Sequence, residues 1–93
     1  MNAPEQSEPA YRTLAAELRA RIAAGLYPAG VRLPTEAELA TEFGLSRQTV
    51  RRAFLELVGE GAVYRIPGRG TFASENAGRY LRQLGSIEDL MNL

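Results

Sequence analysis

TEAELATEFGLSRQTVRRAFLELVGEG, residues 35–61, contains two helix starts and two helix stops in one uninterrupted stretch. Thr35 and Glu38 stand in the T-x-x-E spacing of a capping box, in which each side chain can satisfy the other's free backbone N–H. Leu39, Ala40 and Phe43 fall on one helical face, and Gly44 stops the helix. Leu45 alone separates that stop from Ser46, a second good N-cap. The next helix carries Val50, Ala53, Phe54 and Leu57 on one side and closes at about Glu60–Gly61. Two helices joined by a Gly-containing turn of about three residues is the signature of a helix-turn-helix.

Outward from this stretch the flanks are simpler. Upstream, Tyr11, Leu14, Ala15, Leu18 and Ile22 recur at helical spacing, with Pro9 suited to a first turn and Gly25 to a C-terminal cap. Residues 26–30 read as a turn, and residues 31–33 suffice only for a short strand. Downstream, Val63-Tyr64-Arg65-Ile66 and Gly70-Thr71-Phe72-Ala73 flank Pro67-Gly68-Arg69, which predicts a β-hairpin with a basic tip. A bare hairpin is marginal alone, so it should pack on the helices and pair with residues 31–33. Gly68-x-Gly70 is no nucleotide fingerprint, because it lies in a hairpin and not between a strand and a helix. The expected fold class is α+β, mainly α: three helices plus a small antiparallel hairpin.

Residues 1–8 are polar and expected to be a disordered lead, with one domain over residues 9–73. Residues 74–93 read as a linker, with Tyr80, Leu81 and Leu84 able to start a helix and Ser86 able to cap another. Ninety-three residues leave room for one small core. No apolar run approaches the roughly 20 residues of a membrane span, and the polar start lacks the charged and apolar regions of a secretory signal. A cytoplasmic location and no membrane partner are expected. Cysteine, histidine and lysine are all absent. That removes thiolate and imidazole metal ligands and the commonest general base, so no metal, no cofactor and no enzymatic activity are expected.

The formal net charge is zero, but it is unevenly spread. Residues 44–72 hold five Arg against two Glu, a local excess of +3, while both flanks are net negative. All the basic residues are arginine, which either reflects codon bias or supplies planar two-pronged donors for phosphate and guanine. On a helical wheel Gln48, Arg51, Arg52 and Leu55 face away from the apolar side of the third helix, with Arg47 flanking in its first turn. Any one of these arginines could belong to an ordinary solvated face. Three with a glutamine in the first turn and a half, directly after a Gly-turn, suit a helix whose N-terminal residues reach base edges in the major groove. Arg can bond both acceptors of guanine and Gln both groups of adenine. The hairpin glycines would let its backbone approach phosphates, with Arg69 supplying charge.

The run Pro28-x-Gly30-x-x-Leu33-Pro34-x-Glu36-x-Glu38-Leu39-Ala40-x-x-Phe43-Gly44-x-Ser46-Arg47-x-Thr49-Val50-Arg51-x-Ala53 resembles the winged helix-turn-helix of GntR-family bacterial transcription regulators. The likeness continues through Leu57, Gly61 and Arg65 to Gly68-Arg69-Gly70-Thr71-Phe72, the family's wing, and spans residues 11–73. It implies sequence-specific binding of double-stranded DNA by a ligand-responsive regulator, usually a repressor, acting as a homodimer on palindromic operators. By that resemblance Arg47 and Arg51 read guanines, Gln48 and Thr49 contact bases or phosphate, Ser46 touches backbone, and Gly68 meets the minor groove. Thr35, Glu36, Arg52, Arg65, Arg69, Gly70 and Thr71 complete the expected DNA-facing set. Three positions depart from the pattern. Ala37 stands where many members carry Arg, Gly59 costs helix propensity, and Ala62 replaces a larger aliphatic. Residues 79–93 resemble the connection of the HutC-like branch, which implies that a small-molecule effector and dimerisation belong to a C-terminal domain outside this chain. A naturally short, self-dimerising regulator is the alternative. A winged-helix protein-interaction module is another, but it would call for an apolar or acidic third-helix face, against the Arg51-Arg52 pair.

Overall fold

The computed structural model describes residues 9–75, 77 and 81. Its elements run α1 (Ala10–Ala23), α2 (Glu36–Phe43), α3 (Arg47–Gly59), β1 (Val63–Ile66) and β2 (Gly70–Ala73). This is the three-helix and hairpin arrangement the sequence predicts. The expected lead at residues 1–8, and Tyr80, Leu84 and Ser86 in the tail, lie outside the described residues.

Local chemistry sets the helix ends. The capping box forms in full: Glu38 N–H donates to the Thr35 hydroxyl at 3.0 Å, and Thr35 N–H donates to Glu38 Oε1 at 2.8 Å. That donation from the Thr35 backbone holds the Glu38 carboxyl below its ordinary range. Ser46 caps α3 by accepting from Thr49 N–H at 3.1 Å. At the far ends of α1 and α3 the paired Schellman bonds are present, Leu26 N to Arg21 O and Gly25 N to Ile22 O, then Ala62 N to Leu57 O and Gly61 N to Val58 O. Pro9 differs slightly from expectation. It stands just before α1 rather than inside its first turn, and its carbonyl accepts from Arg12 and Thr13 N–H. Gly59 is the last residue of α3, so its propensity cost falls where the helix is already ending.

α3 is the central element, packed against α1, α2 and β1. Its Val50, Ala53, Phe54 and Leu57 meet Leu14, Ala15, Leu18 and Ile22 of α1 and Leu39 of α2 in one core, with Leu33, Ala62, Val63 and Ala73 closing it beneath the hairpin. Arg19 of α1 donates to Glu56 of α3 and to Glu60, the residue that caps its C-terminus. Arg21 donates to Glu17, Glu42 and the Tyr27 hydroxyl and lies 5.2 Å from the Phe43 ring centroid. Such part-exposed pairs are worth little each, about 0–1 kcal/mol. Their larger consequence is that four carboxylates are tied up by the arginines of α1, away from the first turns of α3.

β1 and β2 pair antiparallel with Val63 opposite Ala73 and Ile66 opposite Gly70. The turn closes by Arg69 N–H donating to Ile66 O at 2.9 Å, with Pro67 in its second position and Gly68 at φ +77° in its third. That pattern is a type II turn, whose third residue needs positive φ. The strand expected at residues 31–33 shrinks to a single bridge between Arg32 and Phe72, plus a 2.8 Å bond from Leu33 N–H to Thr71 O. Pro34 has no N–H to extend the ladder. Of the segment after Ala73, read as linker, residues 74, 75, 77 and 81 are described. Ala77 is buried, its N–H donates to Ser74 O, and Leu81 packs against the core, so core contacts continue beyond residue 73.

Candidate nucleic-acid interface

The first turns of α3 carry exposed Arg47, Gln48, Arg51 and Arg52 side by side. The helix can spare them because its opposite face is filled by Val50, Ala53, Phe54 and Leu57, each at most 2 % exposed. Ser46 and Thr49 are committed to one another, the Ser46 hydroxyl donating to Thr49 Oγ1 at 2.9 Å while it accepts from Thr49 N–H. Their outward reach is therefore shorter than that of the arginines. Arg52 lies 4.1 Å from the Tyr11 ring centroid, a cation–π contact that leans its guanidinium towards the start of α1. Between these elements runs an open groove of about 600 Å³, lined by Tyr11, Ser46, Gln48, Thr49, Arg51, Arg52 and Leu55.

A second cleft of about 300 Å³ lies on the other side of α3, where the N-terminus of α2 meets the hairpin. Thr35, Glu36, Ala37, Arg47, Arg65, Gly70 and Thr71 line it, and so does Arg32. Arg32 is the residue that the sequence reading missed. Its stem crosses the hairpin at Gly70, where an added Cβ would stand 2.6 Å from Arg32 Cδ. Only glycine leaves room for this crossing, and at φ +127° only glycine adopts the backbone comfortably. The expected pairing of residues 31–33 with the hairpin was the available signal, because it brings Arg32 beside a residue with no side chain. Ala37, noted above as lacking a common arginine, lines the same cleft that Arg32 enters.

Glu36, the first residue of α2, sits at this junction with its side chain 16 % exposed. It accepts from Arg51 Nε and Nη2 at 3.4 and 3.2 Å, and Arg65 Nη1 is 3.5 Å away. Arg69 and Gly68 are exposed at the hairpin tip. Thr71 is placed differently from the rest of the expected set. It is 5 % exposed and its carbonyl holds Leu33, so its side chain faces inward. Thr35 is exposed, but its hydroxyl is occupied by the capping box. The arrangement is thus a basic helix face flanked by a basic hairpin. Elongated and half-open, it suits a polyanion better than a small enclosed ligand.

Known proteins with this arrangement point the same way. The HTH-type transcriptional repressor NagR of Bacillus subtilis is 45% identical over 76 residues, covering 81% of this chain and 31% of the repressor. The chain spans about a third of the length of such curated relatives. Among solved structures, a GntR family transcriptional regulator from Listeria monocytogenes superposes with a TM-score of 0.83 at 27% identity, covering 92% of this chain and 77% of that one. The DNA-binding domain of AraR in complex with operator ORE1 gives a TM-score of 0.74 at 35% identity, covering 80% of this chain and 90% of that one. Residues 10–73 match the family described as bacterial regulatory proteins, gntR family, and the chain belongs to that family.

Proposed function

We propose that this winged helix-turn-helix binds double-stranded DNA sequence-specifically, as the operator-reading part of a bacterial transcription regulator, most often a repressor in this family. The observation that carries the reading is the exposed Arg47, Gln48, Arg51 and Arg52 face at the start of α3, in the fold that AraR's domain uses on its operator. Arg47 and Arg51 are assigned to guanines and Gln48 to a base edge. Arg52, Arg65 and Arg32 are assigned to phosphates, with Ser46, Thr49 and Thr35 touching backbone. Gly68, Arg69 and Gly70 follow the wing into the adjacent groove. Selection of binding sites from random duplexes with this chain tests the proposal. Recovery of one recurrent motif is the expected result, and recovery of none would overturn it.

Arg69→Ala is expected to weaken binding to all duplexes by a similar factor and to lower the slope of log K against log salt by about 1. The motive is its position on an exposed hairpin tip, where it meets backbone and not base edges. Titrations at several salt concentrations read this directly, and a change confined to one base position would contradict it.

The proposal extends to a homodimer on a palindromic operator, responding to a small-molecule effector through a part of the regulator that these residues do not span, in the cytoplasm. No helix among the described residues is long and apolar enough to cross a membrane. Because the apolar side of α3 is consumed by its own core, this chain is expected to be monomeric at micromolar concentration and to pair only on a two-half-site duplex. Sedimentation with and without such a duplex decides it. A tight dimer without DNA would favour the short, self-dimerising alternative.

A further inference from the structure

The acidic residue in the middle of this basic face is the feature that phosphate binding alone does not explain. A carboxylate at a surface meant for a polyanion repels it, yet Glu36 stands between α2, α3 and the hairpin with its side chain only 16 % exposed. The positive end of α2 favours a negative charge at this first helical residue. The way it meets Arg51 is specific. Arg51 offers its side edge, Nε to Oε2 and Nη2 to Oε1, so two parallel donors face two acceptors. A guanidinium carries five N–H groups, and this contact uses two of them. The end edge, formed by Nη1 and the second hydrogen of Nη2, is left over, and it is the pair that would match the two acceptors of guanine. Arg51 remains 56 % exposed, so that edge is reachable.

We propose that Glu36 is a positioning residue for base reading: it holds Arg51 side-on so that the opposite edge presents to guanine, and it penalises phosphate approach. This rests on the DNA-reading proposal above. Arg65, 3.5 Å from the same carboxylate on β1, ties the hairpin to the same point, so that one acid sets the recognition helix and the wing relative to each other. A free arginine in this place would take whatever anion came first, and the nearest anions on any duplex are phosphates. Held by Glu36, it loses less freedom on meeting guanine, and a misplaced register leaves the acid facing a phosphate. Both effects widen the gap between the right sequence and all others without adding a contact to DNA.

The test compares Glu36→Gln and Glu36→Asp with the unaltered chain, each on its selected duplex and on an unrelated one at several salt concentrations. For Glu36→Gln, the specific-to-nonspecific ratio is expected to fall by about tenfold or more, through weaker specific and stronger nonspecific binding. Preference should relax at the one base position that Arg51→Ala also relaxes, and the salt slope should steepen by about 1. Glu36→Asp keeps the charge but shortens the reach. It should keep nonspecific binding low without restoring the base preference. The Arg51 Nε–H order parameter gives a readout without DNA: ordered in the unaltered chain and markedly looser in Glu36→Gln. An equal loss on both duplexes, a base preference that survives in Glu36→Gln, or an Arg51 side chain already disordered in the unaltered chain would each overturn the proposal. An unaltered chain with no sequence preference would overturn the DNA-reading proposal and this one together.

Discussion

Phe54→Ala is expected to destabilise the domain by about 3–5 kcal/mol, the cost of removing a large buried ring and leaving a cavity. Phe54 is among the largest fully buried side chains and lies on α3, the helix that packs against both other helices and the hairpin. A domain this small has about 5 kcal/mol in total, so most of its stability would go. Urea unfolding should show a midpoint near zero denaturant, or a chain unfolded at the outset. A loss below about 1 kcal/mol would mean that the core around α3 repacks freely.

Arg47→Ala and Arg51→Ala should leave stability nearly unchanged, because both side chains are exposed. Each is expected to weaken specific binding by about 1–3 kcal/mol and to relax preference at one base position. The two should differ in one respect. Arg47 lines the cleft that Arg32 enters, whereas Arg51 donates to Glu36, so removing Arg51 also frees a carboxylate on the DNA side. Arg51→Ala should therefore lose more affinity for every duplex than Arg47→Ala does. Titrations against a panel of single-base variants measure both effects. If base preference is unchanged in both variants, α3 is not the reading helix.

The local features were readable from the sequence. Thr35 with Glu38, Ser46 with Thr49, and the closing residues Gly25, Gly44 and Gly61 act within one helical turn, so their chemistry is complete in a few consecutive residues. The apolar faces of the three helices followed from spacing for the same reason. The hairpin limits followed from alternation broken by Pro67 and Gly68.

What tertiary structure decided lies between elements. Strand alternation fixes that Thr71 and Phe72 point to opposite sides of the hairpin, but not which side faces the helices, and packing turned Thr71 inward. Arg32 crosses Gly70 only because a single bridge to Phe72 brings separated segments together. Ala77 and Leu81 join the core because the core surface beside them is apolar, which their own sequence neighbourhood does not reveal. Glu36 looks, in sequence, like an ordinary acid at a helix start. It meets Arg51 and Arg65 because α2, α3 and β1 converge there, and the charge of a distant arginine matters only once folding brings it within a few ångströms. Capping, turn and periodicity signals are short-range and so were encoded residue by residue, while the partners of Arg32, Glu36 and Ala77 were set by long-range packing that no local pattern contains.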